Sequence, residues 1–340
     1  MLESVAARPG AVATSAPPPT RADAPTAPVA LAGLGVALPA TIVANEQIAP
    51  GIGVDPAWIE RRTGIRERRR VSGGAELVEL AAAAGRGALV DASVDAALLD
   101  LVILATVSQE RPLPTHAAQV ATRVGADAAG AFDLGAACTG FVSALATGTA
   151  FIESGRARHV LVVAADTLSR QSDPDDRSTA ALFGDGAGAA VLGVGRRHGI
   201  GAIELGADGG ASELITNDAD TGLIRMQGHE TFIQAVARME QATRAVCARA
   251  GVELVDDVDL FVFHQANARI TRTLTERLGC DPGKVVDCIA ELGNTSSASV
   301  PLALEHARAD GRLTAGARVL LCAVGAGFTW GAALLEWGDA

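Results

Sequence analysis

The sequence predicts an α/β fold built from two similar halves, and three observations carry that expectation. Short β-branched runs alternate with alanine-rich segments from Pro28 onward. Of the 340 residues, 49% are hydrophobic and only 20% charged, enough to fill a large core. Two strand-like blocks of the first half are echoed at near-equal spacing in the second.

Residues 1–28 (MLESVAARPGAVATSAPPPTRADAPTAP) are rich in Ala and Pro, lack apolar periodicity and read as a flexible arm. Their acidic residues and prolines argue against a mitochondrial-type presequence. Beyond the arm, VALAGLGVAL, LDLVILATVS, GAFDLGA and HVLVVAADT read as buried strands. The alanine-rich stretches near 76–90, 115–124 and 139–154 read as the helices between them. In the second half, DLFVFHQA (259–266) resembles DLVILATVS (100–108), and GARVLLCAVGA (316–326) resembles ARHVLVVAADT (157–167). The chain is expected to divide near residue 195, into halves 29–194 and 195–340.

A formal net charge of −11 with no Lys/Arg run argues against nucleic acid as a partner, though it leaves room for a local basic patch. The five cysteines include no CxxC pair and are odd in number, which suits a reducing cytoplasm rather than a disulfide framework. No apolar run reaches the roughly 20 residues that span a bilayer. The expectation is a soluble cytoplasmic protein.

The stretch FDLGAACTGF sets Cys138 where a strand turns into a helix. Unpaired amide N–H groups and the helix dipole at such a place favour a thiolate that can attack a carbonyl. A buried structural cysteine is the alternative. FVFHQANARI places His264 at the end of an apolar strand, and GNTSSASVPLALEHA places Asn294 in a small-residue turn before a helical run. His264 taken alone is also readable as a core histidine, and Asn294 as a helix cap. Cys, His and Asn together at element termini point to chemistry. A papain-like hydrolase uses this trio but needs a CGSCW-type signature and a secreted, disulfide-bearing character, both absent. A decarboxylating condensing enzyme uses Cys to take an acyl group, and His and Asn to hydrogen-bond an enolate. The small residues around Ala326 in GAGFTWGAALLEW offer a backbone N–H to a second oxyanion. In FGDGAGAAVLG the glycine spacing does not make the GxGxxG of a dinucleotide site.

From about Val29 to Trp337 the sequence resembles β-ketoacyl-acyl carrier protein synthase III, a member of the thiolase-like superfamily. The resemblance rests on WIERRTGIRERR, FDLGAACTGF, DPDDRST followed by FGDGAGAAVLG, FHQANARI, GNTSSASVPLALEHARADGRL and GAGFTWGAALLEW, in that order. It implies a thiolase-like five-layered αβαβα fold made of two duplicated halves, a homodimer, and a ping-pong reaction with no cofactor beyond the CoA thioester substrate and no metal. An acyl-CoA acylates the cysteine; malonyl-acyl carrier protein then loses CO₂ and its carbanion attacks the acyl-enzyme.

By the same resemblance Cys138 is the nucleophile, His264 and Asn294 stabilise the enolate, and the N–H groups of Cys138 and Ala326 form the oxyanion hole. Trp58 and Arg177 hold the CoA adenine, Arg62 lies near its phosphates, Asn267 near the pantetheine and Phe232 at the pocket wall. The resemblance also implies that FGDGAGAAVLG is a tight turn near the active-site floor. Arg269, with Arg272 and Arg277 at helical spacing, offers an acidic carrier protein a local basic field. Three features depart from the family pattern. They are the Ala/Pro arm, a short NDADTGLIRMQG segment at the expected substrate mouth, and Leu113 where an aromatic residue of the partner subunit often closes the acyl pocket. The alternative function within this resemblance is acyl transfer to an oxygen or nitrogen acceptor in secondary metabolism. Asn294 favours condensation, because such transfer needs a base rather than an enolate cradle. A non-catalytic partner subunit has no need of all three residues.

Overall fold

A computed structural model describes residues 28–72, 77–195 and 199–338; the expected arm, apart from Pro28, lies outside these residues. Nine strands build the main sheet: β1 (Val29–Ala37), β2 (Leu101–Ala105), β3 (Gly130–Leu134), β4 (Val160–Asp166), β5 (Gly186–Val194), β6 (Ile200–Ala207), β7 (Leu260–Phe263), β8 (Arg318–Gly325) and β9 (Thr329–Glu336). Their order is β7-β8-β9-β6-β1-β5-β4-β2-β3. A single residue pair, Val29 with Ile200, joins β1 to β6 at the middle.

On either side of that junction the strands repeat one pattern. In the first half β1, β5 and β4 pair antiparallel and β4, β2 and β3 parallel. In the second, β6, β9 and β8 pair antiparallel and β8 and β7 parallel. A lone parallel bridge from Phe261 to Val285 stands beside β7 where β3 stands beside β2. The blocks that look alike in sequence hold equivalent places: Leu101 lies opposite Val160, and Leu260 opposite Val319, at the same separation along the chain.

The helices that matter most for the architecture are α1 (Pro56–Thr63), α2 (Leu77–Ala92), α3 (His116–Val124), α4 (Gly140–Glu153), α5 (Gly228–Ala250), α6 (Ala268–Leu278) and α7 (Ser299–Ala309). The central layer is α4 with α7. Phe141 and Leu145 of α4 and Val300 and Leu304 of α7 are buried in one cluster with Ile103 and Val162 of the first half and Val262 and Leu321 of the second. Each such side chain removed from water contributes about 1.5–3 kcal/mol. Helices α2 and α3 cover the outer face of the first half, and α5 and α6 that of the second. The result is the five-layered αβαβα arrangement. No helix among the described residues is long and apolar enough to cross a membrane.

Two details explain local sequence. The alanine-rich α2 lies flush on β1 because β1 offers glycines: a Cβ on Gly35 would sit 2.2 Å from the Ala88 nitrogen. In FGDGAGAAVLG the expected tight turn covers only the start, since from Gly186 the segment is a central strand. Its glycines serve packing. A Cβ on Gly184 would lie 2.2 Å from the Leu292 carbonyl oxygen and one on Gly188 2.5 Å from Pro301, so both admit the segment that carries Asn294. The Gly35→Ala variant is expected to lose about 1–3 kcal/mol of stability by overpacking, read as a lower denaturation midpoint at unchanged slope; an unchanged midpoint would contradict the close helix–strand contact.

Candidate active site

Parallel strands of an open α/β sheet present ligands with the loops at their carboxyl ends. The expected catalytic residues sit at such ends or at helix starts. Cys138 lies between β3 and α4, His264 directly follows β7, Ala326 follows β8, and Asn294 precedes α7. All four line one cavity of ≈ 780 Å³, together with Trp58, Arg62, Arg177, Phe232, Asn267 and Arg269. Every catalytic and oxyanion-hole residue expected from the sequence is therefore brought to one place.

Cys138 occupies a 3-10 turn, Ala137–Thr139, immediately before α4. Ala137 takes φ 47°, a left-handed conformation uncommon for a residue with a side chain and a frequent companion of functional turns. Gly325 packs directly beneath, since a Cβ there would come within 2.6 Å of the Cys138 nitrogen. The Thr139 hydroxyl donates to the Ala136 carbonyl at 2.5 Å and meets the Thr329 hydroxyl at 3.0 Å, which ties the nucleophile turn to the loop bearing Ala326. The backbone of residue 138 is thus held against the end of β8, beside Ala326.

The electrostatic expectation for the thiol is corrected. Burial pushes the Cys138 thiol up to about 12, a hydrogen bond to the Ser296 hydroxyl at 3.6 Å opposes that rise, and the Asp166 carboxylate adds to it. Burial is the largest influence on this thiol and favours its neutral form. His264 is almost fully buried, and burial lowers its imidazole to about 3, so it is neutral at physiological pH. Its Nδ1 meets the Ser299 hydroxyl at 2.5 Å. Asn294 accepts the Ser296 N–H on Oδ1 at 2.9 Å within its own turn but caps no helix, and its Nδ2 is the arm left to donate to a cavity ligand.

At the mouth, the Arg62 guanidinium lies 5.5 Å over the Trp58 ring. Arg177 is anchored by donating Nε–H to the Ile52 carbonyl at 2.8 Å. Asn267 caps α6 through the Arg269 N–H and donates Nδ2–H to the Arg62 carbonyl at 3.2 Å. Arg269 stacks over Phe232, 5.5 Å from the ring centre. The short segment NDADTGLIRMQG does border the cavity, through Asn217, Ile224 and Met226. Two expected residues stand apart. Arg272 is exposed on α6 outside the cavity, and Leu113 is 76% exposed and lines none of it in the single chain. Arg277 is paired with Glu240 at 2.8 Å, which removes it from a free basic field. The other four cysteines are buried and unpaired, as core residues.

The sequence reading passed over Ser296, Ser299, Asp166 and Gly325. The run of serines in GNTSSAS after Asn294 was the available signal for the first two. Asp166 is fully buried and accepts from Thr106, Ser108 and the Val107 N–H on one oxygen and from the Ser297 N–H and hydroxyl on the other.

The raised thiol predicts that alkylation of Cys138 by iodoacetamide, taken as the difference between wild type and Cys138→Ala, climbs about tenfold per pH unit between about pH 7 and 9. A plateau near neutral pH would show a stable thiolate and contradict this electrostatic account.

Two family profiles match the chain: "3-Oxoacyl-[acyl-carrier-protein (ACP)] synthase III" over residues 132–209 and its "C terminal" counterpart over 247–337. Among curated proteins, β-ketoacyl-[acyl-carrier-protein] synthase III 2 of Streptomyces coelicolor is 46% identical over 91% of this chain and 93% of its own. Among solved structures, the 3-oxoacyl-[acyl-carrier-protein] synthase III of Aquifex aeolicus superposes with a TM-score of 0.88 at 40% identity, covering 91% of this chain and all of that one. The priming β-ketosynthase of a polyketide biosynthetic pathway superposes with a TM-score of 0.89 at 38% identity, over 95% of this chain and 99% of that one. Cys138 falls within the first matched segment, and His264, Asn294 and Ala326 within the second. On this likeness over nine-tenths of its length, the chain belongs to the 3-oxoacyl-[acyl-carrier-protein] synthase III family of acyl-transferring condensing enzymes.

Proposed function

We propose that this chain is a β-ketoacyl-acyl carrier protein synthase III that starts fatty acid or polyketide synthesis. The observation that carries the reading is the single cavity in which Cys138, His264, Asn294 and the loop at Ala326 meet beneath a mouth of Trp58, Arg62, Arg177 and Arg269. In the first half-reaction the Cys138 sulfur attacks the thioester carbonyl of an acyl-CoA. The tetrahedral oxyanion is held by the N–H groups of Cys138 and Ala326 and collapses to an acyl-enzyme, and the CoA thiolate leaves with the proton given up by the Cys138 thiol. In the second, malonyl-acyl carrier protein loses CO₂, and the enolate oxygen receives hydrogen bonds from the neutral His264 ring and from Asn294 Nδ2. The carbanion attacks the acyl-enzyme in the same oxyanion hole. Collapse releases the β-ketoacyl-carrier protein and, after protonation, the free thiol.

A neutral histidine suits this division. An imidazole lowered to about 3 is a poor base and a serviceable donor, which favours the enolate cradle over acyl transfer to an alcohol or amine. The long open mouth suits a CoA, with its adenine between the Trp58 face and the Arg177 guanidinium and its phosphates by Arg62. An acidic carrier protein lands on Arg269 and Arg272, which supply a local positive field on a chain of net charge −11. The chemistry asks for no cofactor or metal beyond the thioester substrates. We place the enzyme in the cytoplasm, supported by its five unpaired cysteines. We also propose a homodimer: Leu113 is exposed and does not line the cavity of its own chain, which suits an apolar side chain that meets a second copy.

In a test of these roles, Cys138→Ala is expected to form no acyl adduct by intact mass. His264→Ala and Asn294→Ala are expected to form the adduct but to release CO₂ from malonyl-carrier protein about 10²–10³-fold more slowly. Undiminished CO₂ release from either would remove that residue from the enolate cradle. Leu113, smaller and more pliant than an aromatic residue, predicts comparable turnover of acetyl-CoA and bulkier acyl-CoAs; strict acetyl preference would count against an open pocket.

A further inference from the structure

We propose that Ser299 is a positioning residue that fixes His264 as the tautomer protonated on Nε2, so that the ring nitrogen left to face the cavity is a hydrogen-bond donor. The argument begins with Ser299's two contacts. Its hydroxyl oxygen meets His264 Nδ1 at 2.5 Å and lies 3.4 Å from the Gln265 N–H. The Gln265 amide is only a donor, so it takes a lone pair of the Ser299 oxygen. The serine's own hydrogen needs an acceptor, and among the described residues His264 Nδ1 is the one within hydrogen-bonding distance. Nδ1 therefore carries a lone pair, and in a neutral ring the proton resides on Nε2.

The opposite tautomer fails on two counts. It would direct both the Nδ1–H and the Gln265 N–H at one hydroxyl oxygen while leaving the hydroxyl hydrogen without a partner inside the protein. Ser299 is only 1% exposed, so water does not relieve that loss. It would also turn a bare Nε2 lone pair toward the cavity, where an enolate oxygen would be repelled.

Ser299 can hold this orientation because its own place is fixed. It opens α7, and two residues earlier Ser297 is clamped to the buried Asp166 carboxylate through both its N–H and its hydroxyl. With Nε2 protonated, that nitrogen has no lone pair for the Cys138 thiol proton, so His264 works in the malonyl half-reaction as a donor. The purpose assigned to the tautomer rests on the condensing reading; the tautomer itself rests on the Ser299 contacts and a neutral, buried ring.

The test joins imidazole-nitrogen NMR of histidine-labelled full-length enzyme, with the His264 signals assigned by their loss in His264→Gln, to malonyl-carrier-protein decarboxylation. In wild type, Nε2 is expected to be protonated and Nδ1 to show the shift of an unprotonated, hydrogen-bonded nitrogen. Ser299→Ala should lose that hydrogen-bond shift and lower kcat for CO₂ release by about tenfold or more with a smaller change in KM, and Ser299→Thr, which keeps the hydroxyl, should restore much of both. A protonated Nδ1 in wild type, or CO₂ release in Ser299→Ala equal to wild type, would overturn the proposal. Wild type with Nε2 protonated but no malonyl-dependent CO₂ would leave the tautomer supported and remove the condensing reading instead.

Discussion

The site depends on one buried carboxylate. Asp166 ends the central strand β4 and receives five donors, three from the loop after β2 and two from Ser297, in the turn that follows Asn294. A carboxylate this deep without partners costs several kcal/mol (of the order of the penalties for buried charge), so the arrangement strongly resists losing any donor. The segment from Asn294 to Ser299 belongs to the second half of the chain, and Asp166 to the first. One side chain thus registers the turn bearing Asn294, Ser296 and Ser299 against the sheet edge from which the nucleophile turn projects. From the other side, Gly325 against the Cys138 backbone and the Thr139–Thr329 contact set the end of β8. The cavity is the space between these two fixtures.

Burial then decides protonation. The same desolvation pushes a thiol up and an imidazole down, so both Cys138 and His264 rest neutral. A neutral pair avoids a buried ion pair and its desolvation penalty. In the proposed reaction, charge then develops only once substrate is bound, and donors fixed beforehand in a cavity of this kind stabilise it without reorganisation.

Much of the fold, and the meeting of Cys138, His264 and Asn294 at one cavity, is legible in the sequence because the signals are local. β-Branched runs marked β1, β2, β4 and β7, and alanine-rich runs marked α2, α3 and α4. Cys138, His264 and Asn294 each stood at an element terminus beside small or apolar neighbours. What stayed hidden depends on contacts distant in the chain. Nothing near Asp166 reveals that Ser297 will meet it, and although the serine run after Asn294 is visible, it does not say that Ser299 faces His264. The burial that raises the Cys138 thiol is not legible, because a helix start is visible in sequence while the surrounding cavity is not. The glycines of FGDGAGAAVLG read as a turn because their packing partners, Leu292 and Pro301, come from the other half. Leu113 and Arg272 stand outside the cavity lining of the single chain, and a pairing with a second copy or a carrier protein leaves no local mark in one sequence.

The central claim is that one cavity performs two successive half-reactions on a single sulfur. Its most direct measurement follows the mass of the intact wild-type protein through both steps, first with a panel of acyl-CoAs and then with malonyl-carrier protein, while CO₂ is collected. The account predicts a single acyl adduct that disappears on the second addition, with stoichiometric CO₂ and a β-ketoacyl-carrier protein as product. An adduct that persists without CO₂, or no adduct from any donor, would contradict it.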